Sequence, residues 1–140
     1  MRIKAKITKS RRRAVDCVGG ILIDHGRVLV EKRRVDDEAD PGLVFLPGGH
    51  VESGESLQNA LARESKEELG IQAKNTIPIG VRYHVASDGE RQRVHYFRVV
   101  NWSGEIKSVE AETVYWESES DNLADKAERR IVSRLLKRRS

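Results

Sequence analysis

Residues 61–70, LARESKEELG, constrain this chain more than any other stretch. Leu57, Ala60 and Leu61 recur at helical spacing, and steps of three, four and seven residues from Ala60 or Leu61 reach Glu64, Glu67 and Glu68. An apolar stripe therefore runs into a carboxylate stripe on a single helix, expected over residues 56–69. At the C-terminal end these charges oppose the negative pole of the helix dipole, at about 0.3–1 kcal/mol for each exposed one. Glu64 and Glu68 also repel each other at i,i+4. A glutamate-rich helix is ordinarily a solvated face, here paired with Arg63 and Lys66. Two features argue otherwise: the acids continue the buried stripe, and the glycine-rich segment PGGHVESGES precedes them. Such a loop leaves carbonyls free for a metal and amides free for phosphate. Converging carboxylate oxygens suit a hard divalent ion, Mg²⁺ or Mn²⁺, better than zinc.

The rest of the chain reads as one domain over 14–140, preceded by a basic segment 1–13 that is either a solvated arm or, through RIKAKI, an edge strand. A net charge of +4 favours anionic partners without choosing among them. The lone Cys17 leaves no intrachain disulfide, and no Cys/His cluster has zinc spacing. No stretch reads as a signal peptide or a membrane span, so a cytoplasmic protein without membrane association is expected, either monomer or homodimer. AVDCVGGILID and RVLVEKRR are strand-like runs joined at His25-Gly26, with Gly19-Gly20 marking a bulge or a close neighbour. LVFL, the runs over 71–85 and 91–102, and ETVYW supply further strands. A last helix is expected over 122–137, with Ala127, Ile131, Leu135 and Leu136 on one face. The pattern predicts an α/β fold with helices packed on a mixed sheet.

Residues 49–71, GHVESGESLQNALARESKEELGI, resemble the Nudix box: Gly49, five residues, Glu55, seven residues, Arg63-Glu64, two residues, Glu67-Glu68, one residue, Gly70, then Ile71. The one departure is Ser65, where the pattern takes an aliphatic residue. LVFLPGG and the flanking strands are similar to the MutT-like branch, and Asp88 stands where a diadenosine polyphosphate type carries tyrosine. The resemblance implies an α/β/α sandwich that hydrolyses the pyrophosphate linkage of a nucleoside diphosphate derivative, most plainly a (d)NTP or modified nucleotide, with Mg²⁺ neutralising the phosphates (Mn²⁺ as a substitute). It implies Glu67 and Glu68 as metal ligands, Glu64 as a further ligand or the group that orients water, and the Gly48 carbonyl as another ligand. Arg63 and Glu55 become a structural ion pair, alongside Gly49 and Gly70. The general base comes either from the box or from a later loop, where Glu110 and Glu112 are the candidates. Arg34 falls where the family places a phosphate-contacting arginine, with Arg33 its neighbour; Phe45 marks an aromatic base-stacking position and Glu128 a base-reading one.

The alternative is a nucleic-acid-binding or RNA-end-processing module on a Nudix fold, which rests on the basic segments 1–13 and 129–139. An anionic cluster facing a polyanion weighs against a purely binding role. His50, His84 and His95 lie far from any nucleophile pattern and read as surface or strand-packing residues, and Cys17 as core. Deleting residues 1–10 is expected to leave turnover of a mononucleotide nearly unchanged while reducing weak, salt-sensitive RNA or DNA binding. Filter binding at two salt concentrations beside a turnover assay checks this; a collapse of the melting temperature would show the segment to be a paired strand.

Overall fold

The structure is a computed structural model that describes residues 13–108 and 113–137. The arm or edge strand expected before Arg13, and both Glu110 and Glu112, lie outside the described residues. Two sheets form the centre. In the first, β5 (Gly48–His50), β1 (Val15–Ile21), β7 (Arg91–Ser103) and β6 (Gln72–Val85) lie side by side in that order. β1 and β7 run parallel and the other pairs antiparallel, so this sheet is mixed. In the second, β8 (Thr113–Glu117) pairs along β3 (Arg27–Lys32), and the two-residue strands β2 (Ile23–Asp24) and β4 (Val44–Phe45) pair with its two ends.

The turn at His25-Gly26 is present, with φ of 52° and 75° at its two central residues, the left-handed pair that a tight two-residue hairpin requires. The hairpin is short. Only Ile23↔Val28 and Asp24↔Arg27 pair across it, while β1 belongs to the other sheet, so the chain changes sheets at Leu22. β1 is buried on both faces. Cys17 and Ile21 join Val94, Tyr96 and the residues of α2 (Lys126–Lys137) in one core. Val18 and Leu22 join Phe97, Val99 and the residues of α1 (Leu57–Glu64) in the other. This double burial is why the first run lacks any polar alternation.

α1 starts where Ser56 Oγ accepts the Asn59 N–H at 3.1 Å. It continues without a break into a wider π-helical turn over Ser65–Leu69, closed by Gly70 at φ 72°. α2 starts at Lys126, later than the expected residue 122, because residues 120–122 form a separate 3₁₀ turn and Asp125 Oδ2 caps the helix by accepting the Glu128 N–H at 2.8 Å. Its buried face is also rotated from the expected one. Glu128, Val132 and Leu135 are the buried positions, and Ala127, Ile131 and Leu136 flank them half-buried. Hydropathy places a glutamate on the solvent side, whereas here its carboxylate enters the core.

Gly19 faces the Tyr96 ring so closely that an added Cβ would lie 2.8 Å from two ring carbons. Gly19→Ala is expected to destabilise the protein by roughly 1–3 kcal/mol, the usual cost of overpacking. Urea unfolding with the m-value held constant measures it.

Candidate active site

The site is built where β5 crosses β1. Cys17, Val18 and Gly19 pair with His50, Gly49 and Gly48. A side chain at Gly48 would run into the Val18 carbonyl, and one at Gly49 into the Glu64 carboxyl group. Both glycines are therefore required by close approach, and the second seats the helix end directly beneath the loop. Arg63 secures the arrangement with all five of its N–H donors. Nε and one terminal nitrogen grip Glu55 at 2.8 and 2.9 Å, the same nitrogen reaches the His50 carbonyl at 2.8 Å, and the other holds Glu64 at 2.8 Å and Glu67 at 3.0 Å. The guanidinium fork holds the Glu55 carboxyl at a pKa of about 2.

A cleft of about 410 Å³ opens beside this junction, lined by Gly48 and, from the box, by Gly49, Glu64 and Glu68. Glu67 does not line it; half of that side chain is exposed and it meets Arg63. The carboxylate stripe read from helical spacing is thus divided, with Glu64 and Glu68 on the cleft and Glu67 beside it. Glu31 also lines the cleft, 6% exposed, on the strand run where Val28, Leu29 and Val30 are also buried. Burial pushes its pKa well up, and the neighbouring Glu68, charged and hydrogen-bonded to it, adds to the effect. Its Oε2 is buried with no hydrogen-bond partner. Sequence reading missed Glu31; its only signal is a charge in the middle of an otherwise buried apolar strand.

Of the two arginines, Arg33 lines the cleft, its Nε donating to the Ala39 carbonyl at 2.8 Å. Arg34 is exposed and pairs with Asp36 at 3.0 Å, as alternation along an extended backbone dictates for adjacent residues. Phe45 also lines the cleft, its ring edge-to-face with His84 at 5.8 Å. Glu128 is neither solvated nor free: Oε1 accepts the Leu46 N–H at 3.0 Å and Oε2 the Tyr96 hydroxyl at 2.6 Å. Arg82 donates to the Tyr96 oxygen at 3.0 Å and meets Asp125 at 3.1 Å. Burial raises the Glu128 pKa to about 7, partly offset by the hydrogen bonds from Tyr96 and Leu46. Cys17 is core, its thiol pushed up to about 12 by burial.

The NUDIX domain family profile matches residues 10–136. The chain belongs to the Nudix family. It is 31% identical over 110 residues to the CTP pyrophosphohydrolase of Escherichia coli K12, covering 78% of this chain and 79% of that protein. It is also 31% identical over 96 residues to the nucleoside triphosphatase NudI of E. coli O139:H28, covering 64% of this chain and 67% of that one. Among solved structures it resembles the MutT NUDIX hydrolase of Burkholderia pseudomallei, with a TM-score of 0.74, 29% identity, and coverage of 86% and 97% of the two chains. The fold is the MutT-type α/β fold, and the chain is a Nudix hydrolase. Among the described residues no helix is long and apolar enough to cross a membrane.

Nudix hydrolases generally use a divalent cation. Among the described residues no three acidic, histidine or cysteine side chains are already gathered as a finished cage. The donor chemistry nevertheless fits a hard ion: the oxygens of Glu31, Glu64 and Glu68 share one cleft, and one of them is buried without a partner.

The raised pKa of Glu128 makes stability depend on pH. The folded chain holds that proton between about 4.5 and about 7 while the unfolded chain does not. This contribution is therefore complete below 4.5 and is lost as pH rises through 7, a loss of roughly 3 kcal/mol from such a shift. Glu128→Gln is expected to flatten the decline, as read from urea midpoints at pH 5 and pH 7.5 in EDTA.

Proposed function

We propose that this Nudix hydrolase cleaves the pyrophosphate linkage of a nucleoside triphosphate in a Mg²⁺-dependent reaction. The observation that carries the reading is the buried, partnerless oxygen of Glu31 beside Glu68, a costly arrangement for the protein alone and a favourable one around a cation. Glu64, Glu68 and the Gly48 carbonyl would hold the ion from the cleft, with Glu31 supporting Glu68, and Glu67 would join them by turning in from its place on Arg63. When bound, Mg²⁺ supplies charge neutralisation of the phosphates and of the leaving group. The chain does the rest. Arg33 donates to the phosphates from the opposite wall, and Arg63 keeps Glu64 oriented toward a water beside the attacked phosphorus. Glu110 and Glu112 remain the alternative bases from the later loop.

Phe45 and His84 offer an aromatic wall for the base, and Glu128 offers acceptors. Each carboxylate oxygen already takes one protein donor, which leaves a lone pair on each for the substrate. Guanine presents adjacent N1 and N2 donors to such a group, and an oxidised guanine adds one at N7. Thymine and uracil set carbonyls on either side of a single donor and would oppose the charge with lone pairs. Cytosine, the base in the name of the CTP pyrophosphohydrolase relative, also carries an amino donor, at N4.

The test is kcat/KM for the triphosphates of G, 8-oxo-G, C, T and U at one Mg²⁺ concentration. Guanine nucleotides are expected to lead, EDTA to abolish turnover, and Glu67→Gln or Glu68→Gln to lower kcat/KM at least ~100-fold. A best substrate of T or U would sink the base assignment alone. Full activity in both glutamine variants would remove the metal role.

A further inference from the structure

The segment between β3 and β4 lines the cleft through Arg33, Asp37, Ala39 and Asp40 and is fastened to the β6–β7 connection. Its base is closed by the Arg33 N–H donating to the Leu43 carbonyl at 2.9 Å, and its interior by the Gly42 and Asp37 amides on the Arg34 carbonyl at 3.3 and 3.2 Å. This loop therefore behaves as a compact flap on a narrow base. Its tip is Asp40, a non-glycine residue held at φ 49°. That conformation costs energy unless the surroundings enforce it. Here they do. The Asp40 N–H donates to Ser87 Oγ at 2.6 Å, and the Ser87 N–H donates back to Asp40 Oδ1 at 3.0 Å. The other carboxylate oxygen meets His84 Nε2 at 3.3 Å. Ser87 sits in the tight β6–β7 connection, which is closed on itself by the Ala86 N–H to the Glu90 carbonyl at 2.9 Å and the Gly89 N–H to the Ala86 carbonyl at 2.8 Å.

Two loops that are 47 residues apart in the chain thus grip each other reciprocally beside the cleft, which Asp40, His84 and Asp88 line. The flap also carries what the cleft needs. Arg33 lies at its base and donates to Ala39, one residue before the clasp. His84 is held by Asp40 on one ring nitrogen, and its ring stands edge-on to Phe45. The Asp40 carboxylate side chain is only 12% exposed. An unpaired anion there would repel a triphosphate, and the Ser87 amide and His84 absorb that charge.

We propose that the reciprocal Asp40–Ser87 clasp fixes one wall of the nucleotide cleft, and that Asp40 and Ser87 are positioning residues that retain the substrate by holding Arg33 and His84 in place. This rests on the reading of the cleft as a triphosphate site. The clasp touches no box residue, so its loss is expected to weaken binding while leaving the chemical step alone.

Ser87→Ala removes the hydroxyl acceptor, and Asp40→Asn keeps a residue that tolerates left-handed φ while removing the charge from His84. Each is expected to raise KM for GTP, and Kd for the non-hydrolysable α,β-methylene GTP in Mg²⁺, about 3- to 10-fold, with kcat within about twofold of the parent. The double variant should bind more weakly than either single one, because Ser87→Ala removes the hydroxyl half of the clasp while Asp40→Asn removes the carboxylate charge facing His84. Ser87→Thr, which retains a hydroxyl, should restore binding. Unchanged KM and Kd in both single variants would overturn the clasp, as would a lower kcat at constant KM, or a lower melting temperature with both constants unchanged. If the parent protein fails to bind the analogue, the triphosphate reading falls with it; if the parent binds and the variants bind equally, only the clasp falls.

Discussion

The five-donor grip of Arg63 is the interaction on which the site depends. It joins three parts of the chain: the carbonyl of His50, the loop acid Glu55, and the helix acids Glu64 and Glu67. Without a guanidinium at that point, Glu64 would lie beneath Gly49 without its 2.8 Å ion pair, and the helix dipole would work against its charge. Lysine cannot replace it, since an ammonium has three donors and no fork to fit the Glu55 carboxylate on two sides.

The fold spends stability to keep charge in the cleft. Glu31 and Glu68 are held together, and Glu128 is buried where it lines the same cleft. Two different compensations operate. Each oxygen of Glu128 is held by a fixed protein donor, the Leu46 amide or the Tyr96 hydroxyl. Glu31 retains a bare oxygen. The distinction separates a carboxylate arranged for hydrogen bonding from one arranged for a cation, within a single cleft.

β1 and β7 connect these halves. Successive residues of β1 face opposite helices, so Val18 rests on the α1 side while Gly19 opens space for Tyr96 on the α2 side. The same strand presents Gly19 to Gly48 and thereby sets the height of the glycine loop over the box helix. A displacement of β1 would therefore reach Glu64 through Gly49 and Glu128 through Tyr96 together. The parallel pairing of β1 with β7 over seven residues makes such a displacement costly.

The sequence by itself determined the family, the box and the partition into strands and helices, because those depend on spacing along the chain. Helix period, glycine positions and the Arg63–Glu55 pair are local or nearly so, and a reader of residues 49–71 obtains them without coordinates. Tertiary structure alone decided which acids share a cleft. Glu31 and Glu128 are brought there from β3 and α2, far apart in the chain, and each looks like an ordinary solvated acid until the sheet and last helix close around it. The choice of Arg33 over Arg34 for the cleft, the exclusion of Glu67 from it and the crossing of the chain between sheets at Leu22 have the same origin. Burial belongs to the packed molecule and not to the residue, and charge acquires its function here through burial.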